Sequence, residues 1–246
     1  MAVDSGNTRV KWALMEGTRI VQQKSMIKTR LVLPPTQQVR AVRVAHVGNA
    51  SDLQRLQKAL AGWRQVRFLK SRAFASGVSN HYQSPAQLGV DRWLCLLAAN
   101  HLTINQPRGV VVVSAGTAIT VDVLSATGTF LGGVILPGLS AMTTALKRST
   151  PLPAVNIPLP VTHWQGGEHL PQNTKAAMVG GVLLAAVGAI LTVRRHYCPG
   201  GRVLLTGGDA VHLKPHLPTA QIEAQLIFHG MACLYHDNNS KRRSKT

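Results

Sequence analysis

Nine carboxylates in a chain of 246 residues carry the first chemical information, because they stand among 27 lysines and arginines. Four of them sit in glycine-containing segments: Asp4-Ser5-Gly6-Asn7-Thr8, Gly89-Val90-Asp91-Arg92, Gly116-Thr117-Ala118-Ile119-Thr120-Val121-Asp122 and Gly207-Gly208-Asp209. Scarce acids beside tight-turn glycines are candidates for chemistry rather than for surface solvation. In the first segment, a turn between two strands can point backbone N–H groups at a phosphate, and glycine permits the close approach. Asn7 and Thr8 add side-chain donors, Lys11 adds a point charge, and Asp4 can hold a hydrated Mg2+ at the phosphates. Taken alone, the same residues also make an Asx-turn that only links two strands. In the second segment, Asp91 stands where a helix is predicted to open, so the helix dipole and free N–H groups favour its ionised form. Taken alone, Gly-x-Asp-Arg also reads as a plain N-cap.

The elements that must position these residues follow from hydrophobic periodicity. Strands are predicted over 10–14, 19–21, 39–47 and 66–69, with a helix capped by Ser51 that lines up Leu53, Leu56 and Leu60. A polar, Ser-rich passage spans 71–87, and Asp91 opens a helix to about residue 100. The second half restarts in the same style. Residues 109–113 form a β-branched run suited to a strand buried on both faces, followed by a turn and strands over 118–124 and 129–135. A helix over 139–148, a proline-rich stretch over 151–160 and a long helix capped by Asn173 or Thr174 come next. A strand over 202–206 and a helix over 226–236 close the chain. Val3-Asp4-Ser5-Gly6-Asn7-Thr8 and Val113-Ser114-Ala115-Gly116-Thr117 repeat one strand–turn–strand pattern, as two lobes with a cleft or as two ordinary hairpins.

Composition removes several function classes. At 45% hydrophobic and 15% charged residues the chain is not disordered. Three distant cysteines, Cys95, Cys198 and Cys233, exclude a disulfide scaffold and a zinc ribbon. Neither G-x-x-x-x-G-K-[ST] nor G-x-G-x-x-G occurs, so P-loop and Rossmann sites are not supported. The start, Met1-Ala2-Val3-Asp4, has no basic and apolar leader pattern, so a cytoplasmic location is expected. The net charge of +18 is scattered, with its densest run at Lys241, Arg242, Arg243 and Lys245, and aromatics are only 4%. No DNA-reading motif accompanies it, so the expected reading is a solvated surface that attracts polyanions weakly or draws in an anionic substrate, with no specific nucleic acid. Residues 176–193 lack charge and meet the bare length of a membrane span. Their alanines and glycines, without an aromatic belt, predict a buried interface helix and no membrane.

Together these segments resemble the type III pantothenate kinases, also called the Bvg accessory factor family. Asp4-Ser5-Gly6-Asn7-Thr8-Arg9-Val10-Lys11 looks like the family's first phosphate motif. Gly89-Val90-Asp91-Arg92, preceded by Tyr82 and Pro85, is similar to its G-x-D-R motif, and Gly116 to Asp122 to its second phosphate motif. Gly132-Gly133-Val134-Ile135-Leu136-Pro137-Gly138, Asn173-Thr174 and Thr206-Gly207-Gly208 complete the order.

The resemblance implies an α/β, two-lobed acetate and sugar kinase/Hsp70/actin-like fold with duplicated RNase-H-like cores. The lobes are expected over 1–108 and 109–238, with a disordered basic tail over 239–246. It implies ATP-dependent phosphorylation of pantothenate, the first step of coenzyme A synthesis, by a homodimer whose subunits share the active site. Asp4, Ser5, Gly6, Asn7, Thr8, Arg9, Val10, Lys11 and Thr117 would hold ATP, with Mg2+ reached by Asp4 through the phosphates. Asp91 would be the catalytic base. Tyr82, Gly89, Val90, Asp91, Arg92 and, from the partner subunit, Thr174 would hold pantothenate. Many family members bind a monovalent cation, K+ or NH4+, through an Asp where this chain has Ser114. Serine keeps an oxygen but loses the charge, which puts a cation requirement in question, and Asp122 is too far along to replace it. Two alternatives share the fold: a non-catalytic regulator, suggested by the basic tail, and a kinase of another small alcohol.

Overall fold

The computed structural model describes residues 1–149, 151–153 and 170–243. Most of the predicted proline-rich stretch over 151–160 lies outside the described residues, as does the end of the tail. The chain forms two compact units, residues 1–104 with 225–246, and residues 105–224.

The first unit contains β1 (Ala2–Ser5), β2 (Arg9–Glu16), β3 (Arg19–Ile27), β4 (Val42–His46), α1 (Ala50–Ala59) and β5 (Val66–Phe68). A small hairpin of β6 (Phe74–Ala75) and β7 (Val78–Asn80) precedes α2 (Val90–Thr103). The sheet order is β3-β2-β1-β4-β5, with β1 antiparallel to β2 and parallel to β4. Val3, Val10, Trp12 and Val44 point to one face, where Leu56 of α1 and its C-cap Leu60 cover them. Asn49, rather than the expected Ser51, caps α1: its Oδ1 accepts from Asp52 N at 2.9 Å and from the Ser51 hydroxyl at 2.9 Å. The pattern of apolar residues found the helix, but an Asn two places earlier reaches the free N–H first. The polar passage over 71–87 holds the β6–β7 hairpin, too short for a periodic signal.

The second unit contains β8 (Val110–Ala115), β9 (Ala118–Leu124), β10 (Thr129–Pro137), α3 (Leu139–Ser149), α4 (Thr174–Tyr197), β11 (Arg202–Thr206), α5 (Ala210–Leu213) and β12 (Gln221–Ile222). Its order, β10-β9-β8-β11-β12, repeats that of the first unit strand for strand. Here too the first strand is antiparallel to the second and parallel to the fourth. The strand–turn–strand repeat in the sequence is therefore a repeat of topology. Val110 to Val113 are all at most 1% exposed, as a β-branched run between two covered faces requires. One face of α4 packs into this core through Val182, Leu183, Ala186 and Ile190. By length and composition alone α4 could cross a membrane, yet half of its apolar window is buried within the protein.

The last helix, α6 (Leu226–Arg243), departs from the expected layout in two ways. It returns to the first unit, where it packs along α2, and the units divide at 104/105 rather than at 108/109. Gly230 is what allows the contact, because a β-carbon there would collide with the Leu94 carbonyl. The helix also runs into the basic segment that was expected to be disordered from 239, since residues 236–243 contain neither Gly nor Pro.

Candidate active site

In the first unit, β1 delivers Asp4 opposite Lys11 of β2, so the carboxylate and the ammonium share a face of the sheet. The turn between them is closed by Gly6 N donating to Arg9 O at 3.1 Å and leaves Asn7, Thr8 and Arg9 exposed. Burial pushes the Asp4 carboxyl up to about 6; Lys11 opposes this and the charge of Asp91 adds to it. Two residues expected to face ATP turn the other way. Ser5 and Val10 are 2% and 4% exposed, because strand alternation directs them into the core. Their backbones, not their side chains, border the turn. Arg9 is drawn along β3 by Nε donating to Ser25 Oγ at 2.9 Å.

Asp91 is the second residue of α2, and Gly89, not Asp91, occupies the cap position. Its Oδ1 accepts from Arg92 N at 2.8 Å, a helix-opening bond that fixes the carboxylate. Burial raises its pKa against the opposing Arg92 N–H and the Arg92 charge. Gly89 makes room: a β-carbon there would lie 2.6 Å from Asp91 Oδ1. Arg92 is buried and donates from Nη1 to the Tyr82 hydroxyl at 3.0 Å. Val90 is buried beside them. A residue the sequence did not single out, Asn80, holds this group together. Its Nδ2 donates to Arg72 O at 3.2 Å and Pro85 O at 3.1 Å, and its Oδ1 accepts from Tyr82 N at 3.1 Å. Ser71 adds a 2.7 Å bond to Leu88 O. An Asn two residues before Tyr82 in a Ser-rich passage was the available signal.

The second unit repeats the turn with Thr117 exposed at its tip and Gly116 N donating to Ala118 O at 3.0 Å. Gly138 lies directly against this turn; a β-carbon would strike the Gly116 carbonyl and stand 2.7 Å from Thr117 O. Gly207, at φ +92°, presses equally on the Ala115 carbonyl. Ser114 lies opposite Thr120 on one side and Thr206 on the other, a row of three hydroxyls across adjacent strands. Asp122 is 1% exposed inside the sheet, between Val112 and Gly133. Thr174 is exposed at the start of α4, whose cap is Asn173 Oδ1 accepting from Ala176 N at 2.9 Å.

Two copies of one five-strand order, each with a glycine turn after its first strand, define an actin-like ATPase and sugar kinase fold. Solved structures agree in fold. This chain matches a Baf family protein from Campylobacter jejuni at TM-score 0.62 and 22% identity, covering 97% of this chain and 98% of that one. It also matches the activator of 2-hydroxyisocaproyl-CoA dehydratase from Clostridium difficile, solved with ADPNP, at TM-score 0.51 and 14% identity, covering 99% and 96%. The family model described as type III pantothenate kinase matches residues 1–196. The type III pantothenate kinase of Aromatoleum aromaticum is 34% identical over 242 residues, covering 94% of this chain and 96% of that protein. The chain belongs to the type III pantothenate kinase family.

Among the described residues, no group of three or more His, Cys, Asp or Glu side chains is arranged to hold a metal ion. Asp4 would hold Mg2+ only as it arrives on ATP, since one carboxylate leaves the other positions to phosphate and water.

Proposed function

We propose that this chain transfers the γ-phosphoryl group of ATP to the terminal hydroxyl of pantothenate, giving 4′-phosphopantothenate and ADP. The carrying observation is the raised-pKa Asp91 carboxylate, locked by its own helix turn next to a buried Arg92 and in the same unit as Asp4 and Lys11. The substrate hydroxyl oxygen forms the new bond to the γ-phosphorus, the bond from that phosphorus to the bridging oxygen breaks, and Asp91 takes the hydroxyl proton. A carboxylate suffices, because in a loose transition state the proton leaves late and alignment matters more than base strength. Burial makes Asp91 a stronger base than an exposed carboxylate. Within the first unit, the N–H groups of the Gly6 turn and Lys11 would hold the phosphates, and Asp4 would meet the Mg2+ that ATP brings.

Arg92 is fitted to the pantothenate carboxylate. Its fork binds two oxygens, and its burial makes an anionic partner favourable. Tyr82 fixes that fork, while Gly89 and Val90 shape the wall beside it. Ser114, with Thr120 and Thr206, offers neutral oxygens in place of the charged cation ligand, which reduces the demand for K+ or NH4+.

The working unit is a cytoplasmic homodimer. The outward face of α4 carries Leu184 (54% exposed) and Leu191 (44%), and β10 carries Leu131 (53%) and Ile135 (64%), exposed apolar residues that a second copy would cover. Thr174, at the start of that helix, would then enter the neighbour's pantothenate site. The test is an assay of purified protein with ATP, Mg2+ and pantothenate for 4′-phosphopantothenate. Turnover only with another alcohol would reassign the substrate, and no turnover with any would leave the regulator reading.

A further inference from the structure

His46 ends β4 directly opposite Ser5, which ends β1. Its Nδ1 lies 3.1 Å from Ser5 Oγ, and its Nε2 lies 3.3 Å from the carbonyl of Asn49, the cap of α1. A carbonyl only accepts, so Nε2 carries a proton, and in the neutral ring Nδ1 accepts from the Ser5 hydroxyl. Ser5 is 2% exposed, on the core face with Val3 and Val10. A buried hydroxyl that loses its partner is left with an unmet desolvation cost, so the imidazole is what keeps a polar group acceptable there. The Ser5 carbonyl is held as well, by Val47 N at 3.2 Å. Both ends of Ser5 are thus anchored to one short segment, one residue before the turn whose N–H groups begin at Gly6.

The segment is itself braced. A β-carbon on Gly48 would stand 2.8 Å from His46 Cε1, 3.0 Å from Lys28 Nζ and 3.2 Å from Asp52 Oδ2, so the backbone packs close to the ring. Lys28 and Asp52 form an ion pair at 2.5 Å, tying the stretch after β3 to the first turn of α1. The ring therefore has a fixed seat on β4 and α1 and acts on β1 through one bond.

We infer that His46 is a positioning residue for the phosphate turn: through Ser5 it sets the aim of the Gly6, Asn7 and Thr8 N–H groups without touching ATP. This rests on the reading of that turn as the ATP phosphate site. His46→Ala, in the full chain, should raise KM for ATP about tenfold, the scale of one lost buried hydrogen bond, while KM for pantothenate stays within about twofold. Asn places an amide where Nδ1 stands, so His46→Asn should return KM for ATP to near the wild-type value. Gln reaches only toward the Asn49 side, so His46→Gln should not. Ser5→Ala should reproduce His46→Ala, and the double variant should be no worse than either single one.

Unchanged KM for ATP in His46→Ala, additive losses in the double variant, or a folded His46→Asn as impaired as the alanine variant would each overturn the inference. Circular dichroism and thermal unfolding establish which variants fold. Should His46→Ala fail to fold, the comparison of His46→Asn with Ser5→Ala decides alone. A wild-type protein that does not turn over ATP and pantothenate would instead sink the kinase reading, whereas normal wild-type turnover with indifferent variants would sink only the role of His46.

Discussion

The Asp91 carboxylate occupies the space that a side chain on Gly89 would need, with 2.6 Å between its Oδ1 and an ideal β-carbon. The backbone of Gly89, at φ −52° and ψ 132°, is open to any residue, so the constraint is the carboxylate and not conformational strain. Gly89→Ala should therefore fold normally and fail in chemistry. The methyl group turns the carboxylate off its line, and a misplaced catalytic group costs on the order of 10²-fold in rate. Thermal unfolding within a few degrees of wild type, with kcat at least about tenfold lower, is the expected pair of results. A fully active alanine variant would show that the carboxylate has room to spare.

Removing the charge without moving the atoms probes the same group differently. Asp91→Asn should keep pantothenate affinity within about twofold but lower kcat by at least ~10²-fold, the contribution of a general base. Calorimetric titration with pantothenate and steady-state assays on one preparation separate the two effects. Near-normal turnover would take Asp91 out of the mechanism.

The contrast between these residues and Asn80 shows what the sequence could reveal. The positions of Asp4, Asp91 and Thr117 at a strand end, a helix start and a turn were legible because each sits in a short glycine motif whose local geometry is nearly determined by residue type. The duplicated sheet was legible from the repeated strand–turn–strand pattern, since a fixed turn after a first strand fixes its antiparallel partner. Asn80 bonds to backbone groups within its own polar passage and His46 to Ser5 Oγ, 41 residues away, and hydrophobic periodicity announces neither. The direction of Ser5 was legible in principle, since alternation from Val3 puts it on the core face. A motif read as a string of contacts obscured it. The return of α6 to the first unit depends on a tertiary contact between Gly230 and the Leu94 carbonyl, which periodicity cannot express.

Asp4 makes a prediction about pH. Burial, opposed by Lys11 and reinforced by Asp91, raises its pKa from 3.8 to about 6. Between those values the folded protein holds a proton that the unfolded chain has lost, so stability falls as pH rises through the window. Below it the acid is neutral in both states, and above it the full cost of a buried charge remains. Asp4→Asn should thus unfold at a higher temperature than wild type at pH 7.5, with the difference shrinking as pH falls through the window and vanishing below 3.8. The variant should at the same time bind Mg-ATP more weakly, since the amide cannot supply the charge. Parallel unfolding curves from pH 4 to 8 would mean that Asp4 carries no buried charge.

Gly181 tests the dimer. It lies on the exposed side of α4, and a β-carbon there meets nothing within 4 Å in its own subunit. Gly180, one residue earlier, instead faces Pro171 at 3.2 Å, so the two glycines separate internal from external packing. Gly181→Leu should leave the subunit fold intact and act only on what lies across the face shared with Leu184 and Leu191. Small-to-large changes in a packed contact cost roughly 1–3 kcal/mol, enough to dissociate a moderately stable dimer. The expected result is a folded monomer or an aggregate with reduced turnover although Asp91 is untouched, because Thr174 no longer reaches the neighbouring site. Light scattering and activity measured on the same fractions decide it: an active monomer, mutant or wild type, would show that one subunit holds a complete site.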